Sequence, residues 1–266
     1  SFPTRRSSDL INFPEYLNKI GIIPGIKVDG GAKPFSCHPE EKITEGLDNL
    51  NDRMIEYKKL GAKFAKWRGV LVIKDNLPSN ACLKANAHAL ARYASICQEN
   101  DIVPIVEPEV LMDGNHTIET SYKVTSLTLQ SVFEALETLD VNFNGMILKP
   151  NMVISGYECS TKASPDEVAN ATVECLEKNV PQSVPGIAFL SGGQSDEDAT
   201  NHLNLINKNS KNSWKLTFSY GRALQQGAMK KWSGEEKNIA EAQKIISKRA
   251  ELNSLAASGK YSEKLE

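Results

Sequence analysis

The chain has 266 residues, 40% of them hydrophobic and 24% charged, with a formal net charge of −2. That length holds one globular domain of ordinary composition, and near-neutral charge argues against a nucleic-acid or other polyanionic partner. Five cysteines (Cys37, Cys82, Cys97, Cys159, Cys175) have no CxxC spacing, and no apolar run approaches the roughly 18 residues of a membrane span; a reduced, cytoplasmic setting is expected.

Residues 1–10 are polar, Arg/Ser-rich and unpatterned, and they read as a non-native leader, with native-like sequence starting near Ile11. An apolar run ending in charge then appears at Gly25–Asp29, and another at Phe64–Arg68. An Ala-rich helix is expected over Cys82–Cys97, with Leu83, Ala87, Leu90 and Ala94 at helical spacing. The strongly apolar run Ile102–Val106 ends in Glu107-Pro108-Glu109, and Met146-Ile147-Leu148 ends in Lys149-Pro150-Asn151. Ser164-Pro165-Asp166-Glu167 is a capping box with proline at the first helical position. Gly186–Leu190 runs into Ser191-Gly192-Gly193, and Ser195 with three following acids opens a further helix. Leu216–Tyr220 leads to Gly221-Arg222, and a long charged helix is expected over Glu235–Leu255, with Ile239, Ala242, Ile245 and Ile246 on one face.

The polar markers Lys27, Lys66, Glu107, Lys149, Ser191 and Arg222 are spaced by 39, 41, 42, 42 and 31 residues. Short apolar runs at that spacing read as parallel strands buried on both faces, with room between them for crossover helices. Polar groups collected at C-terminal strand ends describe the active face of a (β/α)8 TIM barrel. Six units are visible where a barrel needs eight. The phosphate site of such barrels is commonly built after the last two strands, which makes the glycine-bearing units the seventh and eighth. Strands 1 and 2 are then missing, and residues 11–266 form one domain of units 3–8 plus a C-terminal helical region.

Lys149 is the sharpest candidate for chemistry. At a strand end beside Pro150, burial and a neighbouring cation such as Lys66 would lower its pKa and give a nucleophilic amine suited to a Schiff base. The alternative is a lysine that snorkels to solvent. Glu107 and Glu109, one residue apart in an extended chain, share a face and could divide acid and base roles, or they could form rim salt bridges. Lys27, Lys66, Arg68 and Arg222 fall on the same face, and with the backbone N–H groups of Ser191, Gly192 and Gly193 they suit a phosphorylated substrate, or else a solvated rim. The histidines His38, His88, His116 and His202 have no metal-ligand spacing, so no metal is expected.

Taken together, Gly25-Ile-Lys-Val-Asp29, Phe64-Ala-Lys-Trp-Arg68, Ile105-Val-Glu-Pro-Glu109, Leu148-Lys-Pro-Asn-Met152, Phe189-Leu-Ser-Gly-Gly-Gln194 and Phe218-Ser-Tyr-Gly-Arg-Ala-Leu224 resemble the class I fructose-bisphosphate aldolases of animals, in order from about Phe13 to Tyr261. The resemblance implies a (β/α)8 barrel, a homotetramer, and a metal-independent, cofactor-free enzyme of glycolysis and gluconeogenesis. It cleaves fructose 1,6-bisphosphate reversibly into two triose phosphates. By motif, Lys149 resembles the Schiff-base lysine, Glu107 the general acid/base with Glu109 assisting, and Lys66 the lysine that stabilises developing charge. Lys27 and Arg68 resemble the cations for the distal phosphate. Ser191, Gly192, Gly193, Ser219 and Arg222 resemble the site for the phosphate beside the ketone. Two departures stand out: nothing matches the family's Ala-Ala-Asp-Glu-Ser aspartate, and Tyr261 does not match the family's C-terminal tyrosine. They leave open a second reading, a catalytically incomplete fragment keeping binding surfaces only, actin among the partners the resemblance implies. A different barrel Schiff-base lyase would not explain Lys27, Arg68 and Arg222 together.

Overall fold

The computed structural model describes residues 12–266, so the leader expected at residues 1–10 lies outside the described residues. A short helix α1 (Phe13–Lys19) precedes strand β1 (Gly25–Lys27), a hairpin of β2 (Gly31–Pro34) and β3 (Lys42–Glu45), and helix α2 (Leu50–Lys59). Strand and helix then alternate: β4 (Phe64–Leu71), α3 (Asn80–Glu99), β5 (Val103–Val110), α4 (Ile118–Thr138), β6 (Ile147–Leu148), α5 (Pro165–Asn179), β7 (Gly186–Phe189), α6 (Asp196–Asn209), β8 (Lys215–Phe218) and α7 (Arg222–Trp232). Helix α8 (Ile239–Ala256) closes the series. It starts after a tight turn at Glu236–Asn238, later than the sequence pattern suggested.

All six expected strands form one parallel sheet in the order β1-β4-β5-β6-β7-β8, each beside its predecessor in the repeat. Parallel neighbours cannot be joined by a tight turn, so each connection carries a helix, and the helices pack side by side over one face of the sheet. Strand β4 shows the alternation that results. Trp67 and Leu71 are fully buried against the helical layer, and Trp67 stacks on Tyr93 of α3 with ring centroids 5.6 Å apart. The Tyr93 hydroxyl donates to the Ile105 carbonyl at 3.3 Å, tying α3 to β5. Truncating the Trp67 ring would cost about 3–5 kcal/mol.

The opposite face departs from the expectation of strands buried on both sides. Lys66, Ile105 and Ile147 are only half-buried there. Two of these three residues are isoleucines, so charge is not the cause; the helical layer covers the other face of the sheet. Burial returns at the C-terminal end of β5, where Glu107 and Glu109 are 3% and 8% exposed.

Local signals place the helices as expected. Ser164 Oγ accepts from the Glu167 amide and Glu167 accepts back from the Ser164 amide, completing the capping box of α5. Ser195 Oγ accepts from the Asp198 amide at the start of α6. Helix α4 was not legible. Its buried face mixes Val124, Leu129, Val132 and Leu136 with Ser121, Thr125 and Thr128, and the buried hydroxyls blur the apolar period. Among the described residues, no helix is long and apolar enough to cross a membrane, and the five cysteines are unpaired.

Candidate active site

The strand register gathers the candidates at one end of the sheet. Lys27 pairs with Lys66 across β1 and β4, Lys66 with Ile105 across β4 and β5, and Ile105 with Ile147 across β5 and β6. Side chains alternate along a strand. Asp29, Arg68, Glu107 and Lys149, each two residues farther along, therefore come level on the same face. Backbone bonds carry the ladder past the strand ends: the Lys149 amide donates to the Val106 carbonyl at 2.8 Å, and the Val28 amide to the Lys66 carbonyl at 3.1 Å.

Glu107 is the centre of the cluster. One carboxylate oxygen lies 3.1 Å from Lys149 Nζ and the other 2.9 Å from Lys66 Nζ, so a single buried carboxylate bridges two ammonium groups. Lys66 also approaches Asp29 at 3.7 Å, and Lys27 pairs with Asp29 at 2.5 Å. The lysine heads become more buried from β1 to β6, with side chains 55%, 20% and 13% exposed at Lys27, Lys66 and Lys149. Lys149 is thus the most enclosed amine of the three, held against a group able to carry protons.

Glu109 serves a separate cation, with its carboxylate accepting from Arg68 Nε. Burial works to lower the Arg68 pKa, but the Glu109 hydrogen bond and the nearby carboxylates outweigh it, and the net shift is upward. The two glutamates therefore serve different cations, Glu107 the two lysines and Glu109 the arginine. Glu109 also reaches the glycine loop: a Cβ at Gly192 would lie 3.1 Å from Glu109 Oε1.

That loop follows β7. Gly193 has φ +86, and a Cβ there would come within 2.7 Å of Met112 Cβ and 2.8 Å of Ile154 Cδ1, so both conformation and space demand glycine. The Ser219 amide donates to the Phe189 carbonyl at 2.8 Å, which sets the end of β8 beside the loop. Arg222 opens α7; it is exposed and makes no ion pair among the described residues. The structure thus joins Lys27, Lys66, Glu107 and Lys149 in one contact network, links Arg68, Glu109 and Gly192 beside it, and leaves Ser219 and Arg222 on the adjacent rim.

Two residues of the site were missed by sequence reasoning. Asp29, 2% exposed at its side chain, accepts from the Gly31 and Arg68 amides while facing Lys27 and Lys66. Its signal was available: it lies two residues beyond Lys27 in an extended chain. Asn151 is buried directly after Lys149-Pro150. Its Oδ1 accepts from the Val110 amide at 3.1 Å and its Nδ2 donates to Thr125 Oγ1 at 3.1 Å, fixing the end of β6 to β5 and α4. No spacing rule announces that role.

A family profile described as "Glycolytic: Fructose-bisphosphate aldolase class-I" matches residues 4–266. The chain belongs to the class I fructose-bisphosphate aldolase family. Among similar proteins, the "Probable fructose-bisphosphate aldolase class 1" of Xylella fastidiosa is 55% identical over 252 residues, 94% of this chain and 75% of that protein. "Fructose-bisphosphate aldolase 2" of Plasmodium berghei is 51% identical over 247 residues, 92% of this chain and 67% of its own length. Among solved structures, the fructose-bisphosphate aldolase of Plasmodium falciparum in ternary complex with TRAP and a small-molecule inhibitor aligns with a TM-score of 0.95 and 48% identity. The match covers 98% of this chain and 76% of that one. The aldolase fold is a TIM barrel, and the six parallel β/α units described above are laid out as its successive units.

Proposed function

We propose that this aldolase works through a Schiff base on Lys149 in the reversible cleavage of fructose 1,6-bisphosphate to dihydroxyacetone phosphate and glyceraldehyde 3-phosphate. The observation that carries this reading is the Glu107 carboxylate bridging Lys66 and Lys149. Lys149 Nζ attacks the ketone carbon and its proton passes to Glu107. The carbinolamine then loses water, with Glu107 returning a proton to the departing hydroxyl. Glu107, again a carboxylate, takes the proton of the C4 hydroxyl as the C3–C4 bond breaks and its bonding pair moves into the iminium. The aldehyde leaves, and the remaining enamine is protonated at C3 and hydrolysed by water, which frees Lys149. Lys66 stabilises charge developing beside the nucleophile, and Glu109 keeps Arg68 aimed into the site.

Lys27 and Arg68 bind the distal phosphate in this reading, and both are exposed enough to meet it. Ser191, Gly192, Gly193, Ser219 and Arg222 bind the phosphate beside the ketone, with loop N–H groups and one guanidinium as donors. Residues 11–266 act as one barrel domain of units 3–8 with the C-terminal helices. A cytoplasmic homotetramer, with actin as a surface partner, belongs to the same proposal and rests on the motif resemblance alone.

The test is covalent trapping. The chain is incubated with dihydroxyacetone phosphate and borohydride, and the adduct is mapped by mass spectrometry with circular dichroism as the folding control. The expected adduct is on Lys149 and disappears in Lys149→Met. An adduct on another lysine, or none on a folded chain, would overturn the assignment.

A further inference from the structure

The Gly193 amide is already engaged. It donates at 3.0 Å to the hydroxyl oxygen of Tyr157, a residue on the loop that follows β6. Among the described residues, the neighbouring loop amides of Ser191 and Gly192 have no such acceptor.

The two partners are held differently. Gly193 is locked in its left-handed conformation against Met112 and Ile154, so the direction of its N–H is set by the fold. Tyr157 is pinned only at its backbone. Its amide donates to the Met112 carbonyl at 2.8 Å, its carbonyl accepts from Lys162 Nζ at 2.7 Å, and the flanking Gly156 and Glu158 amides donate to His116 and Gly114. Tyr157 is 52% exposed, and its side chain can change rotamer without moving those anchors.

A phenol oxygen is a neutral acceptor, whereas a phosphate oxygen is charged and accepts a bond roughly twice as strong. We propose that Tyr157 is a competing occupant of the phosphate loop: its hydroxyl holds the Gly193 amide until the phosphate beside the ketone takes that place and the ring swings out. This rests on the reading of Ser191–Gly193 as a phosphate site. The tyrosine keeps the loop's donor satisfied and ordered, and it weakens phosphate binding by the value of the bond that must first be broken. It thereby sets affinity at one end of the substrate without touching the reacting carbon.

Tyr157→Phe removes the acceptor and keeps the ring. Isothermal titration with inorganic phosphate, and separately with dihydroxyacetone phosphate, is expected to give dissociation constants about fivefold lower than in the parent chain, the worth of one neutral hydrogen bond. Tyr157→Leu, which also removes the ring, is expected to tighten binding likewise. In turnover, the gain is expected in KM for fructose 1,6-bisphosphate. Unchanged or weaker binding in both variants would overturn the proposal. Arg222→Ala, which removes the one guanidinium assigned to this phosphate, separates the two levels. If it weakens phosphate binding while neither tyrosine variant strengthens it, the competition is wrong and the phosphate site stands. If neither Arg222→Ala nor the tyrosine variants change phosphate binding, both fall together.

Discussion

Replacing Glu107 by glutamine leaves the shape of the site and removes the one charge that bridges Lys66 and Lys149. Each ion pair near 3 Å has a gross attraction of about 5 kcal/mol at an effective dielectric constant of about 20, much of it offset by desolvation. Breaking a fully buried pair by removing one partner costs about 3–5 kcal/mol. The two lysine side chains keep 20% and 13% exposure, and Lys66 has Asp29 at 3.7 Å as a second partner, so the cost falls below that range. A loss of about 2–3 kcal/mol is expected, which for a domain of this size lowers Tm by about 5–10 °C. The catalytic loss is separate: removing a positioned acid/base group costs about 10²–10⁴-fold in rate. Calorimetry and a coupled cleavage assay read the two effects, and the borohydride trapping rate shows whether Schiff-base formation itself has slowed. A variant that melts within a degree of the parent and cleaves within threefold of its rate would refute this account of Glu107.

Asp29→Asn removes a buried carboxylate that faces Lys27 and Lys66. Cleavage is expected to fall by roughly tenfold or more because Lys66 then has Glu107 alone to orient it, and an unchanged kcat would exclude a positioning role. Gly193→Ala puts a Cβ against Met112 and Ile154 at a φ of +86, and a loss of about 2–4 kcal/mol with weakened phosphate binding is expected from denaturant titration and calorimetry. The pH dependence of stability follows from His202 and His116, whose pKa values burial pushes below the ordinary 6.5. The unfolded chain takes up these protons first, so stability present above about pH 6.5 is lost as the pH falls from there toward the lower folded values. His202→Asn should flatten that slope in a Tm-against-pH series, and an unaltered slope would assign it elsewhere.

Lys149 and Glu107 were legible because strand periodicity puts a residue type at a strand end, and a charged group there has few places to go. The capping box at Ser164 and the N-cap at Ser195 were legible for a similar reason, since each serine acts on a residue three positions away. The same local logic fails for α4, where buried hydroxyls interrupt an apolar packing face, and for Asn151, whose value lies in the Val110 amide and the Thr125 hydroxyl rather than in any neighbour along the chain.

The sequence by itself determined the β/α repetition, the parallel strand order and the identity of the charged groups at each strand end, because those depend on patterns within a few turns of chain. Pairing was decided only by the tertiary structure. Register made Glu107 the bridge between Lys66 and Lys149, gave Glu109 to Arg68, and brought Tyr157 onto the Gly193 amide. Which ammonium meets which carboxylate is a matter of ångströms between strands separated by some 40 residues, and spacing along a chain does not encode it.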